Sequence, residues 1–197
     1  MSPDCPLRFD FVPSDDDVAR NNGWGHGSLY VLGVPYWYAN NNAQPEPIEW
    51  TWVDFLEYVA ANWGALAFEQ SYPFPWLNEA AHPGDVWNVA ERRWARLGED
   101  IADAEELAVL AFERRHNLAS AWKGLSLPSL TLMRNGKMCW VYADGLPPLI
   151  VPFDECRRAL VSICETLAQC FEGSSNSGVA NAVDSWRNRG RNGKTEH

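Results

Sequence analysis

The chain has 197 residues, and 16 Lys and Arg against 26 Asp and Glu leave a formal net charge of -10, which argues against a protein that coats nucleic-acid phosphates. An apolar content of 46%, with 11 Trp and 8 Phe, excludes a disordered chain and is ample for one packed core of α+β type, helices with a small antiparallel sheet. The opening Met1-Ser2-Pro3-Asp4-Cys5-Pro6 lacks a basic start followed by an apolar run, and no stretch approaches the roughly 18 uninterrupted apolar residues that span a bilayer, so a soluble cytoplasmic protein without membrane contact is expected.

Leu7, Phe9 and Phe11 alternate with Arg8 and Asp10 and predict a half-buried strand that Pro13 and Asp15-Asp16-Asp17 end. The glycine-rich Gly23 to Gly27 reads as a turn before an extended run from Ser28 to Tyr38, and Asn40 to Pro47 as a loop. Thr51, with Asp54 three residues on, caps a helix carrying Val53, Leu56, Val59, Ala60 and Trp63, and Gly64 stops it. Ala65 to Glu69 reads as a short strand. Tyr72-Pro73-Phe74-Pro75-Trp76 holds too much proline for regular structure. Helical periodicity returns over 85–97 and again over 100–115, where Asp103, Glu105 and Glu106 near the start and Arg114 and Arg115 at the end complement the helix dipole. A further helical turn is expected over 118–122.

Asn135-Gly136 between strand-like flanks predicts a β-hairpin over about 129–142 with a type I′ turn. Asp154 then caps a helix reaching Glu172, with Leu160, Val161, Cys164, Leu167, Ala168 and Phe171 along its apolar side. The expected organisation is a single α+β domain over 1–173, a linker and short helix over 174–187, and a mobile basic tail over 188–197.

No catalytic signature accompanies this fold. The four histidines, His26, His82, His116 and His197, include no pair one helical turn apart, the spacing a His-Glu-x-x-His zinc peptidase needs to aim two imidazoles at one ion. The five cysteines lack zinc or disulfide-framework spacing and read as reduced thiols. Those on an apolar helix would have raised pKa values, the wrong direction for a nucleophile. Gly23-x-Gly25-x-Gly27 lacks the Gly-Lys-Ser/Thr of a phosphate loop. No catalytic residue, metal site or cofactor is expected.

The tryptophans and arginines say more: Trp50, Trp52 and Trp63 around one helix, Trp87 and Trp94 on another, and Trp122 and Trp140 near the hairpin either share one aromatic core or leave some rings exposed as anchors for a partner. Thirteen of the 16 basic residues are Arg, which suits ion pairs and interfaces, and Trp and Arg dominate binding hot spots. Trp50, Trp52, Arg114, Arg115 and His116 are the candidate partner-binding residues. His116 at a helix end is also placed to cap a carbonyl, where the dipole would raise its pKa.

Three segments, Ile48-Glu49-Trp50-Thr51-Trp52-Val53-Asp54-Phe55-Leu56, Phe112-Glu113-Arg114-Arg115-His116-Asn117-Leu118-Ala119 and Gly124-Leu125-Ser126-Leu127-Pro128, resemble the non-catalytic N-terminal region of certain bacterial ImmA/IrrE-family metallopeptidase proteins. The peptidase motif expected further along such a chain is absent from this sequence, so no catalytic or metal residue carries over. The resemblance implies a recognition module of a bacterial defence, stress or toxin-type system, working alone or with a separately encoded peptidase, toxin or nuclease. The competing expectations are an acidic mimic of nucleic acid that occupies a DNA-binding protein, motivated by the charge of -10, and an unrecognised hydrolase.

Overall fold

The computed structural model describes residues 6–41, 44–97, 99–122 and 124–192. Alternation sets the first strand as expected: β1 (Leu7–Pro13) turns Leu7, Phe9 and Phe11 to the core and Arg8, Asp10 and Val12 outward. Asp16 then caps the short helix α1 (Asp17–Asn21), its carboxylate accepting from the Ala19 amide at 2.7 Å. β2 (Trp24–Val31) returns antiparallel along β1, from Pro13↔Gly25 to Leu7↔Val31.

The glycine-rich segment is therefore strand, not turn, apart from Gly23 with its φ of 81°. Gly25 and Gly27 lie on the inner face of β2 because rings cover them. A Cβ would meet Phe11 Cε2 at 2.5 Å on Gly25 and Trp52 Cζ2 at 2.5 Å on Gly27.

The single extended run expected over 28–38 is folded back. Val31 pairs with Val34 across Leu32-Gly33, whose φ angles of 49° and 79° are both positive, a type I′ corner leading into β3 (Val34–Trp37). Where a loop was expected, β4 (Ala39–Asn41) and β5 (Gln44–Glu46) form a small hairpin. β6 (Ile48–Thr51) pairs with the first half of β2, so β3 and β6 share one edge of that strand.

Helix α2 (Val53–Ala61) follows directly. Thr51 does not cap its backbone. The Thr51 hydroxyl donates to the Asp54 carboxylate at 2.6 Å, while the Trp52 amide donates to the Gly23 carbonyl at 2.8 Å. Gly64 does not stop the helical path either: α3 (Trp63–Phe68) starts at once, and the strand expected over 65–69 is helical because Leu66 and Ala67, adjacent on one helix face, are both buried. Two 3-10 turns, Pro75–Glu79 and Pro83–Asp85, lead into α4 (Val86–Trp94) and then α5 (Glu99–His116). A third turn spans Leu118–Ala121.

The hairpin around Asn135-Gly136 is present as β7 (Leu130–Asn135) and β8 (Met138–Ala143), with its corner one residue later than expected. Asn135 pairs with Met138 and leaves Gly136-Lys137 at the turn, and among the described non-glycine residues only Leu32 has a positive φ. That is a type II′ arrangement. It is held by Arg134 Nε donating to the Gly136 carbonyl at 3.0 Å and by the Gly136 amide donating to Gln70 Oε1 at 3.2 Å. β9 (Leu149–Pro152), not expected, adds a third antiparallel strand along β8. α6 (Phe153–Cys170) starts from Pro152 with Asp154 in its first turn rather than at its cap.

α7 (Ser177–Asn192) is longer than the short helix expected, and 188–192 belong to it rather than to a tail; 193–197 lie outside the described residues. Val179, Ala182, Val183 and Trp186 form its buried stripe. Arg189 lies over the Trp186 and Trp63 rings.

The protein is thus α+β, with a four-stranded and a three-stranded antiparallel sheet, the two-stranded β4–β5 hairpin, and helices packed around them. Its main core joins both sheets to α2, α3, α6 and α7. At its centre Trp52 and Trp37 each stand edge-on to Trp122, at 5.0 and 4.8 Å, and Phe55 stacks on Trp122 at 5.2 Å. Trp37 Nε1 donates to the Pro128 carbonyl at 3.0 Å. No helix among the described residues is long and apolar enough to cross a membrane.

Candidate partner-binding surface

A second, smaller cluster lies beside the main core, and it leaves most of its rings partly exposed. Leu77, Val86, Val89 and Ala90, with Val109 from α5, are its buried centre. Tyr72, Phe74, Trp76, Trp87 and Trp94 surround that centre half-buried. The reason is geometric. α4 has nine residues and the stretch before it holds Pro73, Pro75 and Pro83, so a short amphipathic helix and an irregular segment must seat five large rings.

The segment is tied down at three places. Tyr72 packs on Phe112 at 5.4 Å, and burial pushes its phenol up to about 12. His82 stacks on Tyr142 at 5.1 Å. Gly84 lies so close to the Tyr142 ring that a Cβ there would meet it at 2.1 Å.

The exposed rings are held by their own polar edges. Trp87 and Trp94, two turns apart on α4, meet edge to face at 5.4 Å. Trp87 Nε1 donates to Glu91 at 2.9 Å and Trp94 Nε1 to Glu105 at 3.2 Å. Arg93 forks onto the same Glu105 carboxylate at 2.9 and 3.0 Å and lies 4.8 Å over the Trp76 ring, which stacks parallel on Phe74 at 5.3 Å. Hydrogen bonding from Arg93 holds the Glu105 carboxyl below the usual carboxylate range. Arg92 and Arg96, one turn apart on the opposite flank of α4 from Trp87 and Trp94, are exposed and make no salt bridge among the described residues.

The residues singled out in the sequence do not form one surface. Trp52 is 1% exposed inside the main core, under Gly27, and cannot reach a partner. Trp50 is half-buried against Trp24 at 5.9 Å. Arg114 is exposed, but Arg115 forks onto Glu69 at 2.7 and 2.6 Å. His116 is fully buried with Nδ1 2.9 Å from the Phe112 carbonyl, so it caps a carbonyl as expected. Its pKa is lowered rather than raised, because desolvation outweighs the favourable partners. The signal for the shelf was the seven-residue spacing of Trp87 and Trp94 beside a proline-bound aromatic run.

Elsewhere the buried Trp50 Nε1, His82 Nδ1, His116 Nε2 and Trp122 Nε1 have no hydrogen-bond partner among the described residues, while the polar groups of one further cleft pair among themselves. A cleft of about 390 Å³ lined by Asp17, Arg20, Asn21, Cys170, Glu172 and Ser174 has Arg20 on Asp17, Arg187 on Glu172 and Ser174 on Asn21. Burial raises the Cys170 and Cys164 thiols, which disfavours the thiolate. Among the described residues no group of three His, Cys, Asp or Glu side chains is arranged to hold a metal ion. Compared with protein-family models, with curated proteins and with solved structures, the chain matches none.

Proposed function

We propose that this is a non-catalytic protein-binding module and that the α4 segment, with the rings of Phe74, Trp76, Trp87 and Trp94 and the exposed Arg92 and Arg96 on its other flank, is its contact surface. The observation that carries the reading is that these rings are partly exposed yet fixed: the Trp87 and Trp94 indole nitrogens are bonded to Glu91 and Glu105, and Arg93, bonded to Glu105, lies over Trp76, which stacks on Phe74. Rings immobilised before binding lose little entropy on binding, which is how Trp and Arg become hot spots. A partner that wraps α4, offering an apolar anchor to the ring faces and carboxylates to Arg92 and Arg96, fits this segment.

The resemblance to the ImmA/IrrE-associated region supports a bacterial regulatory or defence setting, with a separately encoded peptidase, toxin or nuclease as the partner. Trp52, Phe55, Leu56, Phe112 and Leu118, which carry that resemblance, are core residues. On this reading they belong to the packing such a module would share, while the shelf supplies the specificity.

Site-specific photo-crosslinking in the native host tests the proposal. A photoreactive residue at position 92 or 96 is expected to trap one protein species, and one at position 166 on α6 is expected to trap none. Loss of the adduct on Trp76→Ala in a folded protein supports the shelf. Equal trapping from both faces, or none from the shelf, overturns it.

A further inference from the structure

The geometry points to a proton-operated latch at Glu69, Arg115 and His116: a proton taken from solvent onto His116 Nε2 transfers the Glu69 carboxylate from Arg115 to His116 and releases the Arg115 guanidinium beside Arg114. The inference does not depend on the α4 shelf.

His116 is the last residue of α5 and has no exposed surface. Its Nδ1 lies 2.9 Å from the Phe112 carbonyl, an acceptor, so Nδ1 carries the ring proton in the neutral form. Nε2 is then a bare lone pair. It is buried without a hydrogen bond of good geometry; Glu69 Oε2 stands 3.7 Å away, and the Ala65 carbonyl of α3 also faces the ring as an acceptor. An acceptor facing a carboxylate is a mismatch that one proton cures. The ring lies 4.2 Å from Phe112, and the Arg115 guanidinium lies over the opposite partner of that contact, 5.1 Å from the Phe112 ring.

Glu69, the residue that closes α3, faces both cations. Arg115 holds it now at 2.7 and 2.6 Å, but that side chain is 29% exposed, whereas His116 is enclosed. When the imidazole becomes a cation it competes for Oε2 and repels Arg115, and the half-exposed guanidinium is the group with water to go to. The other polar groups around the joint do not offer His116 a second anion. From α2, the Tyr58 hydroxyl donates to the Arg114 and Asn117 carbonyls. From β7, Arg134 donates to the Ala67 carbonyl of α3. Tyr72 meets Phe112 by its ring, burial raises the Glu113 carboxyl on α5 itself, and Glu105, further up α5, is held by Arg93.

Burial keeps the folded His116 below its ordinary value, so the unfolded chain takes the proton more readily. Stability from this site is complete above about pH 6.5 and is lost as pH falls from there towards the folded value. The folding equilibrium drops by up to roughly tenfold per pH unit in that window.

Nitrogen NMR on the full chain from pH 7.5 to 5 reads the latch. The His116 ring is expected to change from the Nδ1–H tautomer to the imidazolium below pH 6.5, and exchange of the Arg115 Nε–H with water to rise through the same transition. In Glu69→Gln the His116 transition moves to lower pH and the Arg115 Nε–H exchanges freely throughout. Should that variant not fold, the wild-type titration decides alone. Protonation of His116 with Arg115 Nε–H unchanged, or an imidazole that stays neutral down to acid unfolding, overturns the latch.

Discussion

The main core and the α4 cluster are built from the same residue types and finish differently. In the core, Trp37, Trp52 and Trp122 are almost wholly enclosed, because two sheets and four helices close over them. In the α4 cluster, five rings surround five small or medium buried side chains and only α5 and the edge of the second sheet lie behind them. A tryptophan in the core is therefore part of what the fold needs. A tryptophan on the shelf is surface that the fold could have spared, and its rigid mounting is what gives it a use.

Truncation should separate the two regions sharply. Trp52→Ala removes a ring packed on Gly27, Phe9 and Trp122. It is expected to cost about 3–5 kcal/mol, read by urea denaturation. A loss below about 1 kcal/mol would mean that the centre of the core has been misplaced. Gly27→Ala attacks the same contact from the sheet side. A Cβ 2.5 Å from the Trp52 ring should destabilise by about 1–3 kcal/mol, whereas a glycine in a solvent-facing turn would tolerate alanine far better.

Gly84→Ala sharpens the comparison because its clash, with Tyr142, lies where the α4 segment meets the second sheet. Hydrogen exchange should speed up for the amides of α4 while those of α2 stay protected, as expected if the cluster opens as its own unit. Uniform acceleration of both helices would make the two regions one cooperative body.

How much of this could be read from the chain depended on whether local chemistry or distant packing decided each element. The period of Leu7, Phe9 and Phe11, the charge polarity of α5 and the two strands around Asn135-Gly136 were legible because neighbours in sequence set them. The corner at Leu32-Gly33 was not, since leucine seldom adopts a positive φ and the bend is fixed by pairing on β1 and by Leu7 and Val31 in the core. Gly25 and Gly27 misled for a related reason: the rings that require them come from Phe11 and Trp52, at other places in the chain. Among the candidate contact residues, Arg114 was placed correctly at the surface, while Trp52 and His116 became core. Sequence spacing ranks a tryptophan as important without saying which side of it will face water.

The smaller effects concern the shelf. Glu105→Gln removes the carboxylate that receives Arg93 and the Trp94 indole. Because the Arg93 side chain is 39% exposed, the cost should stay under about 1 kcal/mol. Its pH signature has a definite sign: a carboxyl held below the usual range contributes above about pH 4.5 and loses that contribution as pH falls. The variant should therefore flatten the acid limb of wild-type stability without changing it at neutral pH beyond that small loss.

Trp87→Ala should be the mildest of all for the fold, since the ring is only partly buried and its removal opens no closed cavity; a loss of at most about 1 kcal/mol is expected. The same substitution removes a preset contact face, so partner trapping from position 92 should fall at least tenfold while the urea midpoint scarcely moves. If stability fell as far as it does for Trp52→Ala, the ring would belong to the core after all, and the distinction between the two regions would dissolve at the Trp87–Trp94 pair.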